Sequence, residues 1–235
     1  MKRTLFIVLA AGAAAFVGAA EWLRRQPLSF GVSATEARRA MPGDDLVPDA
    51  NYIRTGGITI DADPEDLFPW LAQMGYERGG LYSYDFLDRL FGILDGRSSK
   101  EVLPRFQHLE AGDEIPLKRG GAFVVREVEP KRSLVLAPSD EAIPITWQML
   151  IEPVHDGQIR FITRNRAQLP KNPFALVTMA LWDVAAFIMV RRWLVVLKGR
   201  AETLAAQRRA EFEESLAGAE STTLEAPLTE EAIVG

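Results

Sequence analysis

The chain has 235 residues, 48% apolar content and a formal net charge of -5 at pH 7. This composition fits one well-buried domain with extensions and argues against general nucleic-acid binding. The absence of cysteine excludes disulfides, zinc–thiolate sites, iron–sulfur clusters and thiol nucleophiles. His108 and His155 have no metal-ligand spacing, so we expect neither a metal nor a cofactor.

A candidate membrane segment comes first in chain order. An uncharged run over residues 4–20 is slightly shorter than the roughly 20 apolar residues of a spanning helix. Small residues near its end fit signal-peptide cleavage, whereas Trp22 and the arginines after it fit an interfacial anchor. We predict an uncleaved single-pass anchor in the cytoplasmic membrane over residues 1–26, with the side of the domain left open by balanced flanking charges.

A linker is predicted over residues 27–50, with turn signals around a short helix near residues 34–41. The main domain is predicted over residues 51–212. An acidic tail without a periodic apolar face follows at residues 213–235, and we expect it to be disordered.

The run from Ile58 to Gly92 predicts a strand, a helix, a turn and a second helix. Isoleucines alternate with polar residues from Ile58, and Asp63 before Pro64 is typical of a helix start. The helix then shows one apolar face and ends near Gly75. The turn and second helix carry many apolar side chains, which favours the wall of a pocket: Tyr82, Tyr84, Phe86, Leu87, Leu90 and Phe91.

Five further strands and a long helix complete the pattern. The strands are predicted at residues 114–117, 122–128, 133–137, 145–153 and 158–167, as an antiparallel meander forming a curved sheet. From about Phe174 the chain is strongly apolar and then charged, which predicts a C-terminal helix. Asp183 interrupts the apolar run, so packing in the domain is favoured over a second membrane span.

Several motifs occur in the order found in one known superfamily, over roughly residues 58–202. They include ITIDADPEDLFPWLAQMG, GGLYSYDFLDRLFG and VVREVEPKRSLVL. The chain resembles the SRPBCC superfamily, also called START-like or Bet v 1-like, and within it bacterial polyketide cyclase/dehydrase-like proteins. The resemblance implies an α+β helix-grip fold, a curved antiparallel sheet wrapped around a long C-terminal helix. It also implies a cavity for apolar molecules.

The first candidate ligand residues are Tyr82, Tyr84 and Asp85. Near a pocket mouth they could orient a polar head group, or serve as acid and base if burial raised the pKa of Asp85. The competing interpretation is that Asp85 caps the second helix and the tyrosines only pack.

Three more candidates lie further along the chain. Gln107 could hydrogen-bond a ligand oxygen, Trp147 could form an aromatic wall, and Arg164 could anchor a carboxylate or phosphate. Such an arginine is more often a solvent-facing partner of a neighbouring strand. No catalytic residue is assigned.

The leading hypothesis is a membrane-tethered domain that binds, and could transport, a hydrophobic or amphipathic molecule such as a lipid. The alternative is a polyketide cyclase/dehydratase-like enzyme in which Asp85, a tyrosine or His108 moves protons. A third hypothesis is a structural role, in which the anchor and final helix dock onto another membrane protein.

Overall fold

The computed structural model describes residues 29–90, 97–118, 120–140, 143–170 and 172–224. Within them the fold is α+β, with six strands in one antiparallel sheet. The strands are β1 (Tyr52–Ile60), β2 (Glu114–Lys118), β3 (Gly121–Glu129), β4 (Ser133–Pro138), β5 (Ile145–Pro153) and β6 (Ile159–Ala167). The predicted meander is confirmed in β2 to β6, whose ends lie within one residue of those expected, whereas β1 begins at Tyr52 and not at the predicted Ile58.

Four α-helices accompany the sheet in the described residues. They are α1 (Ala34–Arg38), α2 (Pro64–Ala72), α3 (Asp85–Leu90) and α4 (Pro173–Leu224). Helix α2 begins as its sequence predicts, since Pro64 occupies the first turn and the Asp63 backbone N–H donates to the Asp66 carboxylate at 3.0 Å.

The strand order β1-β6-β5-β4-β3-β2 brings the first strand beside the last. The pairing runs from Tyr52 opposite Ala167 to Ile60 opposite Ile159. Register shifts interrupt the β2–β3 and β3–β4 pairings. Such irregularities bend strands and increase their twist, so they help the sheet to curve.

Helix α4 packs on one face of the sheet, which we call the helix-facing side. Its contact stripe is fully or almost fully buried: Trp193, Leu194, Leu197, Ala201 and Ala205. Gly56 on β1 permits the close approach of α4, because a Cβ added there would lie 3.3 Å from Leu194 Cδ1. The main core therefore lies between the sheet, α2 and α4.

The opposite face, which we call the outer side, is covered by residues 30–48, part of the predicted linker. Arg160 on β6 forms an ion pair with Glu36 at 2.7 Å, and Arg166 donates to the Val47 carbonyl at 2.7 Å. Met41 packs with Leu150 and Ile162 in a second apolar cluster. These residues form a layer over the sheet.

Helix α4 extends beyond the predicted end of the domain. Residues 213–224, predicted to be disordered, are helical in the structure. The rest of the predicted tail and the predicted anchor over residues 1–26 lie outside the described residues. In the part of the chain that the structure describes, no helix is both long and apolar enough for a membrane span.

Candidate functional site

A cleft lies between the helix-facing side of β1 and β6 and the N-terminal half of α4. It holds a cavity of about 40 Å³, lined by apolar groups of Phe30, Phe187 and Val190 and by polar groups of Thr163 and Asn165. Pockets for drug-sized ligands commonly have volumes of roughly 300–1,000 Å³. A ligand of that size therefore requires α4 or the lining side chains to move.

A row of aromatic side chains adjoins this cavity. The Phe123 and Trp147 ring centroids are 6.4 Å apart, and those of Trp147 and Trp193 are 5.3 Å apart. The Trp147 indole N–H donates to the Thr163 hydroxyl at 2.9 Å, and Thr163 itself lines the cavity. Phe123 and Trp147 are only half-buried, unlike the fully buried Met149 and Leu136 on neighbouring parts of the same face.

Trp193 supplies an unused hydrogen-bond donor at this row. Its side chain is 3% exposed, and its indole N–H has no acceptor within the described residues. A buried donor without a partner is unfavourable by about 1–3 kcal/mol. An oxygen of a bound molecule would relieve that loss, so the row offers apolar surface together with one directed polar contact.

A buried charged cluster closes the other end of the cleft. Asp183 accepts hydrogen bonds from the Tyr52 hydroxyl at 2.5 Å and from the Arg54 guanidinium at 2.8 Å. Burial and the neighbouring Asp183 carboxylate raise the pKa of Tyr52 well above its usual value, so this phenol stays protonated and donates. The acid within the apolar run thus attaches α4 to β1.

Tyr82 and Gln107, two predicted ligand residues, meet at Gln73. Gln73 Nε2 donates to the Tyr82 hydroxyl at 2.9 Å, and Gln107 Nε2 lies 3.3 Å from Gln73 Oε1. Tyr82 is 1% exposed, and burial raises its pKa to about 12. The Arg200 guanidinium lies 4.7 Å from the centre of its ring. The contacts of Tyr82 and Gln107 hold the loops around α2 together.

Asp85 connects α3 to the segment that begins at residue 97. Its carboxylate accepts from the Ser98 backbone N–H at 3.2 Å and from the Ser98 hydroxyl at 2.8 Å. Tyr84 is half-buried, and its ring lies 5.7 Å from the Arg192 guanidinium. Nearby Asp88 is fully buried and accepts from the Ser83 hydroxyl at 2.6 Å, and burial raises the pKa of its carboxyl.

Arg164 lies on the outer side, separated by the sheet from Trp147. Its guanidinium forms an ion pair with Asp44 at 3.0 Å and donates to the backbone carbonyls of Arg39 and Ala37 at 2.9 and 3.1 Å. It is 2% exposed, so it is neither a solvent-facing partner nor a lining group of the cleft. The structure therefore does not bring the six candidates into one site.

Sequence reasoning missed several residues of the cleft, namely Tyr52, Arg54, Thr163 and Trp193. In the sequence, Asp183 indicates only that a membrane span is unfavourable there. An acid in an apolar helical run is itself a signal for a buried partner, since an unpaired charge in a core is unfavourable. Its partners on β1 lie more than a hundred residues earlier, so only the fold identifies them.

Comparisons with known proteins give structural neighbours of low sequence identity. No protein-family model matches the chain, and no curated protein matches it. The protein jhp0584 from Helicobacter pylori is 13% identical with a TM-score of 0.42, over 69% of this chain and 96% of that one. The Aha1 dimer from Colwellia psychrerythraea is 16% identical with a TM-score of 0.40, over 64% and 96% of the two chains.

A third neighbour is the Polyketide_cyc-like protein Cgl2372 from Corynebacterium glutamicum. It is 17% identical with a TM-score of 0.31, over 68% of this chain and 92% of that one. In the present structure, the strand–helix start, the antiparallel sheet and the C-terminal helix on one face follow the predicted order. These elements give the chain a helix-grip-like α+β fold.

Proposed function

We propose that the domain binds a small apolar or amphipathic molecule between the helix-facing side of the sheet and α4. The observation that supports this most directly is the aromatic row, where half-buried Phe123 and Trp147 adjoin the buried Trp193 indole N–H without a described acceptor. Apolar burial, at roughly 25 cal/mol per Å², would drive binding, and the indole would orient one polar atom of the ligand.

The small size of the cavity gives the proposal a dynamic requirement. A volume of about 40 Å³ admits only the smallest groups, so binding must be coupled to movement of α4 or of the lining side chains, and we propose that α4 moves. The ligand then replaces contacts between α4 and β1. Hydrogen exchange of α4 amides should therefore slow when ligand binds, because the open states become less populated.

The test uses the fluorophore 1-anilinonaphthalene-8-sulfonate, whose emission rises in apolar sites. Phe123→Ala should weaken its binding by about 5- to 10-fold, as expected for the loss of one aromatic contact. Phe212→Ala is the matched control, because Phe212 is 65% exposed at the far end of α4. Equal binding by both variants, with unchanged circular dichroism, would refute the proposed site.

Native mass spectrometry of the purified full chain addresses the natural ligand. We expect a co-purifying apolar molecule in the wild type and less of it in Phe123→Ala. On the same samples, the α4 amides should exchange more slowly in the wild type, which retains more ligand, than in Phe123→Ala.

We also propose that residues 1–26 tether the domain to the cytoplasmic membrane. The uncharged run over residues 4–20 between basic ends supports this. The full chain should stay with the membrane fraction after alkaline carbonate extraction, and a variant with two arginines placed in that run should be released. Release of the unaltered chain would contradict the tether.

A further inference from the structure

An amphipathic stripe lies on the exposed side of α4, away from the cleft. Ile188 and Val195 are 48% and 45% exposed, and Arg191 and Arg192 between them are also exposed. The spacing i, i+3, i+4, i+7 places all four on one side of the helix. We call these four residues the α4 stripe.

The structure separates these two arginines from the other basic residues of α4. Arg208 forms ion pairs with Asp63 and Asp66, and Lys198 pairs with Glu202 at 2.7 Å. Arg200 is turned inward, where its guanidinium lies 4.9 Å from the centre of the Trp70 ring. These groups, and Arg209 at 3.7 Å from Asp61, are engaged by other groups of the domain.

Arg191 and Arg192 instead contact aromatic rings. The Arg191 guanidinium lies 5.4 Å from the Phe30 ring centre, and the Arg192 guanidinium lies 5.7 Å from the Tyr84 ring centre. Stacking on a ring leaves the N–H groups at the guanidinium edge able to bind phosphate oxygens. Beyond Tyr84, its ring neighbour Phe86 is 61% exposed and adds apolar surface.

The position of Phe30, a few residues after the proposed tether, indicates which partner meets this surface. Phe30 lies under the Arg191 guanidinium, 5.4 Å from its ring centre, so residue 30 is beside the α4 stripe. The proposed membrane tether precedes that point by only a few residues, which limits how far the stripe can lie from the bilayer. Exposed apolar side chains mixed with arginines match the interfacial region of an anionic membrane.

We propose that the α4 stripe, with Phe86, docks the domain onto the anionic lipid headgroups of the membrane that holds its tether. Arg191 and Arg192 bind lipid phosphates, and Ile188, Val195 and Phe86 enter the headgroup–acyl boundary. This inference rests on the proposed tether for its geometry. It does not depend on the identity of the ligand in the cleft.

Single-cysteine labelling tests this proposal, because the natural chain contains no cysteine. An NBD fluorophore on Ile188→Cys of the full chain is followed in vesicles of phosphatidylcholine alone and with about one-third phosphatidylglycerol. The matched control is Phe212→Cys, on the same helix about 36 Å further along its axis. We expect a blue shift and about twofold brighter emission from position 188 only with the anionic lipid, and little change at position 212.

The charge variant Arg191→Gln/Arg192→Gln should remove the response of the Ile188 probe. The binding constant for the anionic vesicles should fall by roughly 10- to 30-fold. High salt should also lower this constant for the parent chain, because it screens the attraction to the lipid phosphates. Circular dichroism and urea midpoints should match those of the parent chain, because both arginines are exposed.

The outcomes distinguish the tether from the docking surface. A chain that co-sediments with both vesicles while the Ile188 probe reports the same environment in each retains the tether and overturns the docking. A chain that co-sediments only with anionic vesicles, through Arg191 and Arg192, overturns the tether and supports the docking. A probe already shielded before vesicles are added indicates a protein partner or a second copy on the stripe, and overturns lipid docking.

Discussion

The helix-facing and outer sides of the sheet are buried by different chemistry. On the helix-facing side, Phe161, Met149 and Trp147 meet the apolar stripe of α4. On the outer side, the alternate residues Arg160, Arg164 and Arg166 bind Glu36, Asp44 and backbone carbonyls of residues 30–48. Around these apolar contacts the first interface can slide and repack, since dispersion contacts have little directionality. The second interface is fixed by hydrogen-bond geometry, as is the Asp183 cluster that attaches α4 to Tyr52 and Arg54.

This difference indicates which side can open for a ligand. Moving α4 about the Asp183 cluster exchanges one set of apolar contacts for another, which a bound apolar molecule supplies. Moving residues 30–48 would leave the Arg164 guanidinium and several carbonyls buried without partners. We therefore expect the outer layer to remain in place while α4 moves.

The largest effect is expected for Arg164→Ala. It removes the partner of Asp44 and of the carbonyls of Ala37 and Arg39, and should lower the free energy of unfolding by about 3 to 4 kcal/mol. Urea titration measures this. The control is Arg132→Ala, whose ion pair with Glu129 is exposed and should change stability by less than about 0.5 kcal/mol. If Arg164→Ala lowers the free energy of unfolding no more than Arg132→Ala does, the contacts of Arg164 with the outer layer contribute little to stability.

Leu194→Ala tests the helix-facing side by opening a void between α4 and β1. Leu194 is fully buried against Gly56, so we expect a loss of about 3 kcal/mol. The neighbouring Val195→Ala, at an exposed position, should change the unfolding free energy by less than about 0.5 kcal/mol. If the void also binds 1-anilinonaphthalene-8-sulfonate more tightly than the wild type, α4 is the mobile element. Unchanged binding and stability would contradict that assignment.

Acid should weaken the outer side through Glu36. The hydrogen bond from Arg160 lowers the pKa of Glu36 from 4.5 to about 2, against the opposing effect of burial, and Ser33 contributes further. Because the pKa of Glu36 is lower in the folded state, its ionised carboxylate stabilises the fold at pH values above its unfolded-state pKa of 4.5. This stabilisation is lost as the pH falls from about 4.5 towards 2.

Glu36→Gln measures that contribution. At pH 6 we expect it to lower the free energy of unfolding by about 1.5 kcal/mol, after allowance for partial exposure, and the difference should shrink by pH 3. Paired urea titrations at the two pH values give the comparison. A difference that is constant with pH would mean that Glu36 acts through its shape and not through its charge.

The smallest effect concerns the Trp147–Thr163 hydrogen bond within the cleft. Trp147→Phe and Thr163→Val each remove one partner, and a double-mutant cycle should give a coupling of about 1 kcal/mol. A coupling near zero would show that the indole is held by ring packing alone. Either way, the cycle measures how firmly the aromatic row is fixed before a ligand arrives.

The local sequence pattern was sufficient to predict most of the secondary structure. The alternation of apolar residues predicted the strands, and Asp63 before Pro64 predicted the start of α2, because both signals depend on near neighbours. The helix ends later than its pattern predicts: residues 213–224 are helical although they lack an apolar stripe. The helix continues there from a packed segment, and propagation adds one hydrogen bond per residue without a new nucleus.

The candidate site was less predictable from the sequence. Trp147, predicted as an aromatic wall, lies beside Trp193 of α4, whereas Arg164, predicted as a ligand anchor, lies under residues 30–48. Strand alternation assigns residues to two faces but does not say which face meets the helix. Tyr82 and Gln107 meet at Gln73, a residue with no distinctive pattern of its own.

By itself, the sequence determined the element order, the antiparallel sheet, the long apolar C-terminal helix and the resemblance to helix-grip proteins, since these follow from periodicity and motif order. The tertiary structure decided which face of each strand meets α4, that residues 30–48 cover the outer side, and that Asp183 pairs with Tyr52 and Arg54. These features depend on contacts between residues far apart in the chain, which no local pattern encodes.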